Sequence, residues 1–154
     1  TIFKAMILPV LDYCDVVWQG CGQGNIDSLE KLQRRAAKII YPKSGIETNK
    51  LLLKLKLIAL KYRRRAHTVI FVKKCLLGIV PPYMLNYFQI NQSRSRRITR
   101  NYMDISLPRI RLEIAKRSFF YTGALEYNRL PQETKAIDSF KYFCRTVWTY
   151  FTEL

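Results

Sequence analysis

Ser-Leu-Glu-Lys-Leu-Gln-Arg-Arg-Ala-Ala-Lys-Ile-Ile, residues 28–40, is the stretch that decides the fold. At 100° per residue, its apolar side chains fall on one arc of a helical wheel and its cations fall on the opposite arc. The pattern predicts an amphipathic helix that packs through the apolar arc, with Leu32 buried, and exposes a purely basic face. The apolar arc holds Leu29, Leu32, Ala36, Ile39 and Ile40, and the basic arc holds Lys31, Arg34, Arg35 and Lys38.

The ends of this helix are marked by local signals. Asp27 lies three residues before Glu30, a spacing typical of a capping box, which satisfies free N–H groups at a helix start. We therefore expect the helix to begin near Ser28. Tyr41 precedes Pro42, and a residue before proline is pushed out of the helical region, so the helix should end there.

The rest of the chain carries further helical patterns and no sustained strand alternation. The sequence therefore predicts an all-α fold, a helical bundle followed by a further basic helical region. The other expected helices cover residues 2–18, interrupted or restarted at Pro9, residues 51–77 as one or two helices, residues 110–121 and residues 139–151.

Two regions are expected, residues 1–80 and 81–154, packed as one unit. The second contains a polar and basic stretch at residues 91–101 that has no apolar period, which is typical of a loop. The chain opens with Thr1 and its first methionine is Met6, so we interpret the sequence as a fragment whose natural N-terminus lies upstream.

Positive charge is concentrated in the middle of the chain. The net charge is +16, and residues 31–117 hold 22 of the 27 lysines and arginines but only three of the 11 acidic residues. A surplus that serves solubility would be spread over the sequence, whereas a binding face needs charge confined to one stretch. The distribution indicates a polyanionic partner or an anionic surface.

The sequence offers no pattern for catalysis or for a metal ion. Its single histidine, His67, lies in a strongly basic helical stretch and is expected to be a packed or surface residue. The four cysteines form no C-x-x-C pair, so we interpret them as small buried residues rather than zinc ligands. Asp12 and Asp15 are interpreted as capping or ion-pairing residues. We expect no catalytic residue, no metal site and no cofactor.

Arginines and tyrosines in the basic middle are divided between structural and binding roles. Arg63, Arg64 and Arg65 are consecutive, and helical positions 100° apart do not share a face. At least one of the three is expected to pair with a carboxylate or a helix C-terminus. Tyr102, beside the arginine cluster, is the candidate for stacking on an unpaired base. The other interleaved tyrosines are assigned mostly to packing: Tyr41, Tyr62, Tyr83 and Tyr87.

Several short motifs, in order along nearly the whole chain, resemble the reverse transcriptases of LINE-like (non-LTR) retrotransposons, particularly the CR1 and Jockey-like groups. The chain differs from that family at Lys56-Leu57 and at Tyr127, where tryptophan is common. The motifs are Leu8-Pro9-Val10-Leu11-Asp12-Tyr13 with Val17-Trp18, residues 29–36, Leu60 with Arg63-Arg64, Gly78 with Pro81-Pro82-Tyr83-Met84, Thr99-Arg100, Pro108-Arg109, Lys116-Arg117-Ser118-Phe119, Gly123-Ala124, Asn128, Leu130-Pro131 and Ser139-Phe140-Lys141.

The resemblance implies the thumb and C-terminal region of an RNA-directed DNA polymerase, without the paired aspartates of the palm. Such a thumb holds RNA, DNA or an RNA–DNA duplex through its backbone, beside an upstream palm of the same polyprotein. Residues 1–80 would be thumb-like, in an intracellular protein of the nucleus and cytoplasm. The expected nucleic-acid-binding residues are Lys31, Arg34, Arg35, Lys38, Arg63, Arg64, Arg94, Arg96, Arg97, Arg100 and Tyr102.

A second function class stays open at this point. A helix with a lysine and arginine face also suits an anionic membrane surface or an acidic protein partner, with no role in nucleic-acid binding. The apolar arc of residues 28–40 lacks bulky aromatic side chains, and a globular core needs that arc. These two points favour nucleic acid. No run of the sequence approaches the length of apolar residues that a membrane span requires.

Overall fold

A computed structural model of the chain describes residues 2–42, 45–91 and 102–153. The chain divides into two compact units, Thr1–Arg64 and Arg65–Leu154. The boundary between these units falls at residues 64 and 65, inside a helix, and the expected regions 1–80 and 81–154 stay a prediction.

The described residues form helices, turns and connections, and the predicted all-α fold is confirmed. Within these residues the one strand-like feature is an isolated antiparallel bridge between Ile90 and Ile105. The helices are a π-helical segment (Phe3–Ile7), α1 (Leu8–Asp12), α2 (Asp15–Trp18), α3 (Gln23–Ile40), α4 (Thr48–Lys54), α5 (Leu60–Leu76), a 3-10 turn (Pro82–Met84), α6 (Glu113–Lys116), α7 (Phe119–Asn128), α8 (Gln132–Lys135) and α9 (Phe140–Thr152).

The N-terminal helical segment breaks later than its proline suggests. Pro9 is the second residue of α1, directly after the π-helical segment Phe3–Ile7, and the chain stays helical through it. The break instead follows at Tyr13, which is extended, and at Cys14, which adopts a left-handed conformation with φ 52°. Cys14 is also exposed, and Cys21 and Cys144 are only partly buried, so the expectation that the cysteines are buried is confirmed for Cys75 and wrong for Cys14.

Helix α3 begins at Gln23, before the predicted start near Ser28, and the predicted capping box is absent. The Gln23 side chain donates to Asp27 across one helical turn, at 2.8 Å. Glu30 is buried, and its carboxylate accepts the backbone N–H of Lys61 at 2.6 Å. Glu30 therefore caps the start of α5 rather than the start of its own helix. The end of α3 is as predicted, with Tyr41 leaving the helical region.

The buried face of α3 is rotated from the predicted arc. Gln33 and Ala37 are fully buried, whereas Leu32 is 53% exposed and Ile39 is 73% exposed. The Gln33 amide donates to the carbonyl of Ile58 at 3.0 Å, in the connection before α5. Gln33 and Glu30 are buried because they bind backbone groups of the connection before α5. Without these bonds, the backbone groups would be buried unpaired, which costs free energy. The expectation that Leu32 is a core residue is therefore wrong.

The core of the first unit lies between α1, α3, α4 and the start of α5. The helix predicted over residues 51–77 is two helices, since Lys56, with φ 51°, separates α4 from α5. The buried apolar residues are Phe3, Leu8, Ala37, Leu51, Leu52, Leu57 and Leu60, and the partly buried ones packed against them are Leu11, Leu29, Ala36, Tyr41, Ile46 and Leu55.

The second unit packs α7 and α9 on the later part of α5. Gly123 in α7 permits a close approach to α5, because a Cβ at this position would lie 2.9 Å from Cγ2 of Val72 and 3.2 Å from a ring carbon of Phe119. Helix α5 ends before Gly78, whose φ of +72° suits a glycine C-cap. The buried apolar side chains of this unit are Ala66, Val69, Val72, Cys75, Phe88, Ile105, Ala124, Tyr127, Leu130, Phe143, Val147 and Phe151.

The helix predicted over residues 110–121 is interrupted. Residues 107–112 are not helical, α6 has four residues, and the extended Ser118 separates α6 from α7. The Ser118 hydroxyl donates to the carbonyl of Ala115, a local bond that competes with continuation of the helix. The closing helix is as predicted, since α9 covers Phe140–Thr152.

A polar clamp holds the segment that precedes α6 against the end of α7. The Asn128 side chain accepts the N–H of Ile105 at 2.7 Å and donates to the carbonyl of the same residue at 2.9 Å. Lys135 donates to Asp104 at 2.6 Å and to the carbonyl of Asn128 at 2.8 Å. Because Lys135 and Ile105 are buried, these bonds fix the local chain position.

Gly123→Ala should destabilise the second unit, because the new methyl group must push back Val72 and Phe119. An overpacked core side chain costs about 1–3 kcal/mol in the free energy of unfolding, measurable by urea titration followed by circular dichroism. Gly24→Ala in α3 is the matched control. A Cβ there meets nothing within 4 Å, so the change should leave stability equal or raise it by up to about 1 kcal/mol. Equal effects at the two glycines would contradict the close approach of α5 and α7.

Glu30→Gln should destabilise the first unit by about 3 kcal/mol, because it removes the charge from a buried carboxylate that binds a helix N-terminus and a buried arginine. Glu47→Gln is the matched control, since that carboxylate is exposed and lies 3.9 Å from Lys50. It should change stability by no more than about 0.5 kcal/mol. A Glu30→Gln variant as stable as the Glu47→Gln variant would overturn the capping role of Glu30.

Candidate nucleic-acid interface

The basic face predicted on α3 is present as a continuous exposed surface. Its four cations are all exposed, and none makes an ion pair with a carboxylate in the described residues. With a helical rise of 1.5 Å per residue, the face extends about 10 Å along the helix axis. We call this surface the α3 basic face, and its members are Lys31, Arg34, Arg35 and Lys38.

The buried side of α3 packs on the first unit and holds the helix that carries the α3 basic face in place. Ala37 is fully buried in the core of the first unit, and Gln33 and Glu30 bind backbone groups of residues 58 and 61. Lys38 lies in the last turn, where a cation also interacts favourably with the negative end of the helix dipole. The cations are therefore displayed on a rigid support, which suits contact with a regular array of charges.

Two exposed apolar side chains lie beside the α3 basic face. At 100° per residue, Leu32 and Ile39 occupy neighbouring angular positions next to Arg35. Their exposure means that the described surface of α3 is basic on one side and apolar on the other. This apolar strip was missed in the sequence because both residues were assigned to the core.

Arg63 and Arg64 do not belong to the exposed basic surface, contrary to the sequence-based assignment. Arg63 donates from Nε to Oδ1 of Asp12 at 3.0 Å, and its second bond to the same carboxylate makes the pair bidentate. The Arg64 side chain is 6% exposed, lies 3.4 Å from Glu30 and packs on the ring of Trp18. Both guanidinium groups therefore bind acidic partners inside the first unit. The ion-pairing role expected of Asp12 is confirmed.

Arg65 also has a structural role, in the second unit. It donates to Glu126 at 2.7 Å and lies over the ring of Phe151. The sequence predicted that at least one of the three consecutive arginines would pair with a carboxylate, and all three do so.

The arginine-rich part of the predicted loop lies outside the described residues. The flanking residues are described: Asn91 donates its N–H to the carbonyl of Asp104, and Ser106 donates to the carbonyl of Gln89, each at 2.8 Å. Tyr102, the candidate stacking residue, is partly buried. The predicted binding residues that fall in the undescribed part are Arg94, Arg96, Arg97 and Arg100.

Two tyrosines assigned to packing are instead exposed. Tyr83 is 73% exposed and Tyr87 is 51% exposed, whereas Tyr41 packs on the first core as predicted. Tyr87 lies with its ring stacked on Phe120, at a centroid distance of 3.9 Å and an interplanar angle of 25°. The signal that could have found them is Pro81-Pro82, because two prolines end the helical period that favours burial.

Three titratable side chains of the second unit, His67, Lys73 and Tyr127, pack within its interior. His67 packs edge-on against Trp148 with ring centroids 5.2 Å apart, in accord with the packed role expected for it. Burial raises the pKa of Tyr127 to about 12, and the negative charge of Asp104 adds to this effect. Burial lowers the pKa of Lys73, although the charge of Asp138 opposes the change. These shifts come from packing.

Among the described residues, no helix combines the length and the apolar character needed to cross a bilayer. Comparison of the chain with protein-family models, with curated proteins and with solved structures found no match. Function is therefore inferred from the charges, exposure and contacts of the chain itself, together with the motifs noted in its sequence.

Proposed function

We propose that this chain is a non-catalytic, nucleic-acid-binding region that holds a duplex through its phosphate backbone, as the thumb region of a LINE-like reverse transcriptase would. The observation that carries the proposal is the α3 basic face, four exposed cations without acidic partners in the described residues. Arg63 and Arg64 are excluded from the surface by their ion pairs. The bound nucleic acid would be the primer–template duplex or the template RNA.

The dimensions of the α3 basic face suit phosphates along one strand. A face about 10 Å long matches about three steps of a strand that rises about 3.4 Å per nucleotide along the duplex axis. Four cations on this length therefore meet about three or four phosphates. Contacts of this kind position a duplex and carry little sequence information, because the phosphates are the same at every step.

The chain is not itself the polymerase in this proposal. A palm elsewhere in the same polyprotein would supply the metal-binding aspartates, and the present chain would keep the duplex in place beside it. Support for this assignment comes from the ordered motifs of the sequence and from the rigid mounting of α3, in which Glu30 and Gln33 bind the connection before α5. A rigid mounting matters because misplacement of a substrate by about 1 Å slows a reaction about 100-fold.

An anionic membrane surface is the second candidate, and one observation favours it. Leu32 and Ile39 are exposed beside the cations of α3, and an apolar strip next to lysine and arginine is the arrangement of an interfacial helix. The expectation that a core needs both residues, which counted against a membrane, is wrong. Two aliphatic side chains without an aromatic neighbour on α3 form a small apolar face for an interfacial helix, so we rank this function below duplex binding.

The combined variant Arg34→Gln, Arg35→Gln and Lys38→Gln should weaken binding to a blunt 20-base-pair RNA–DNA duplex while the chain stays folded. The affinity of the parent chain should fall with salt at a log–log slope of roughly −4 to −5, for about five phosphates neutralised, three or four by the α3 basic face and the rest by other cations of the chain. The slope of the variant should be smaller by about one for each phosphate that it no longer neutralises. Fluorescence anisotropy at several salt concentrations measures both quantities.

The matched control is Lys50→Gln, Lys54→Gln and Lys61→Gln, which removes the same charge from exposed lysines of α4 and α5. This control should change the slope by less than one unit, because long-range charge alone contributes to the loss. Equal slopes for the two variants would show that total charge, and not the α3 basic face, holds the duplex.

Leu32→Ser with Ile39→Ser should leave the duplex affinity within about twofold, because neither side chain contacts phosphate in the proposed complex. The same variant separates the two candidate functions when sedimentation with vesicles of phosphatidylserine and phosphatidylcholine is measured at matched salt. Parent binding to vesicles that exceeds duplex binding, and that the two serines abolish, would favour the membrane surface instead. Surface changes of this kind alter stability by about 0.5 kcal/mol, so unfolding does not confuse the result.

A further inference from the structure

The second unit carries an exposed aromatic surface that the α3 basic face does not account for. Tyr83 belongs to the 3-10 turn Pro82–Met84, Tyr87 follows it, and both side chains are exposed. The ring of Phe120, at the start of α7, covers one face of Tyr87. We call this group the tyrosine platform; it consists of Tyr83, Tyr87 and Phe120.

The platform is anchored to the interior by a chain of ring contacts. Phe120 meets Phe119 with centroids 5.7 Å apart, and Phe119 meets the buried Phe88 at 5.5 Å and Phe71 of α5 at 5.3 Å. Contacts of this geometry fix the orientation of each ring. One face of the Tyr87 ring is therefore covered by Phe120, and the residue as a whole is still 51% exposed.

The charge of the second unit fits an anionic ligand for this surface. Residues 65–154 hold 15 lysines and arginines and six acidic residues, so their net charge is 15 − 6 = +9. The exposed Arg109, Arg111 and Arg117 lie in the segment that leads into α7 and hence to Phe120. An apolar surface that binds another protein does not need an excess of positive charge. A single-stranded nucleic acid does, because cations neutralise its phosphates while exposed aromatic rings stack on its bases.

We propose that the tyrosine platform binds unpaired nucleotides of single-stranded RNA or DNA by stacking a base on Tyr87, with Tyr83 as a second stacking position. This proposal rests on the proposed function in one respect, that the ligand is a nucleic acid. The surface is a different one, the tyrosine platform instead of the α3 basic face. Stacking on an aromatic ring tolerates every base, because each base has a π-face. The platform would hold the unpaired part of a nucleic acid whose paired part is bound through phosphates.

The test compares the full chain binding to fluorescent fifteen-nucleotide oligothymidine and to a fifteen-position abasic strand, which keeps the phosphates and lacks the bases. The parent should bind oligothymidine more tightly. Tyr87→Ala should lower the affinity for oligothymidine by roughly 5- to 150-fold, the range for losing one stacked base, and leave the affinity for the abasic strand within about twofold. Blunt-duplex affinity should also stay within about twofold.

Four further variants keep the result interpretable. Tyr87→Phe should bind like the parent because it keeps the ring, whereas Tyr87→Leu should bind like Tyr87→Ala, since an aliphatic side chain of similar bulk does not stack. Tyr83→Ala changes a side chain that is 73% exposed and should preserve the fold, as circular dichroism would check. Tyr142→Ala, an exposed tyrosine on α9, is the matched control and should bind oligothymidine like the parent.

The outcomes separate the two proposals. Equal parent affinity for oligothymidine and the abasic strand, or unchanged oligothymidine binding by both Tyr87→Leu and Tyr83→Ala, would overturn the tyrosine platform while leaving duplex binding by α3 intact. If the α3 variant loses duplex binding and still prefers oligothymidine to the abasic strand as the parent does, both the proposed function and the tyrosine platform are supported. If the parent chain prefers oligothymidine to the abasic strand but does not bind the duplex, the proposed function is wrong and the tyrosine platform is still supported.

Discussion

The bond between the Glu30 carboxylate and the N–H of Lys61 is the constraint on which the first unit depends. It joins the middle of α3 to the first turn of α5, and the Gln33 amide adds a second bond to the same connection. Together these bonds choose which face of α3 is buried. The basic residues are exposed because another face of α3, which carries Glu30 and Gln33, is buried. These two side chains bind the N–H of Lys61 and the carbonyl of Ile58. A surface for an anionic partner is thus a consequence of buried polar contacts.

This constraint also explains where the sequence predicted α3 and where it did not. The helix, its C-terminal end at Tyr41 and the exposure of its four cations are readable from residues 28–40, because charge and period are local properties. The buried arc is not, because Gln33 and Glu30 are polar and their burial depends on backbone groups about thirty positions further along the chain. Leu32 was misassigned for the same reason: apolarity alone does not choose between two neighbouring arcs.

In the second unit, the closing helix was predictable from aromatic residues at helical spacing, and the break at Ser118 was not. Its hydroxyl bond to Ala115 competes with the helix locally, and a serine inside a helical pattern does not indicate which option it takes. The exposure of Tyr83 and Tyr87 was also missed, because both residues were assigned to packing although Pro81-Pro82 ends the helical period just before them. The arginines of residues 94–100 lie outside the described residues and stay a prediction as binding residues.

The Asn128 side chain makes the two hydrogen bonds to Ile105 that a neighbouring β-strand would make. It accepts the N–H of Ile105 and donates to the carbonyl of the same residue. With the bridge from Ile90 to Ile105, this clamp closes the two ends of the intervening segment independently of what that segment contains. The entropy of closing a loop grows only slowly with its length, by about 0.6 kcal/mol for each doubling. A change in the number of residues between Ile90 and Ile105 should therefore cost little free energy as long as the bridge and the Asn128 clamp are kept.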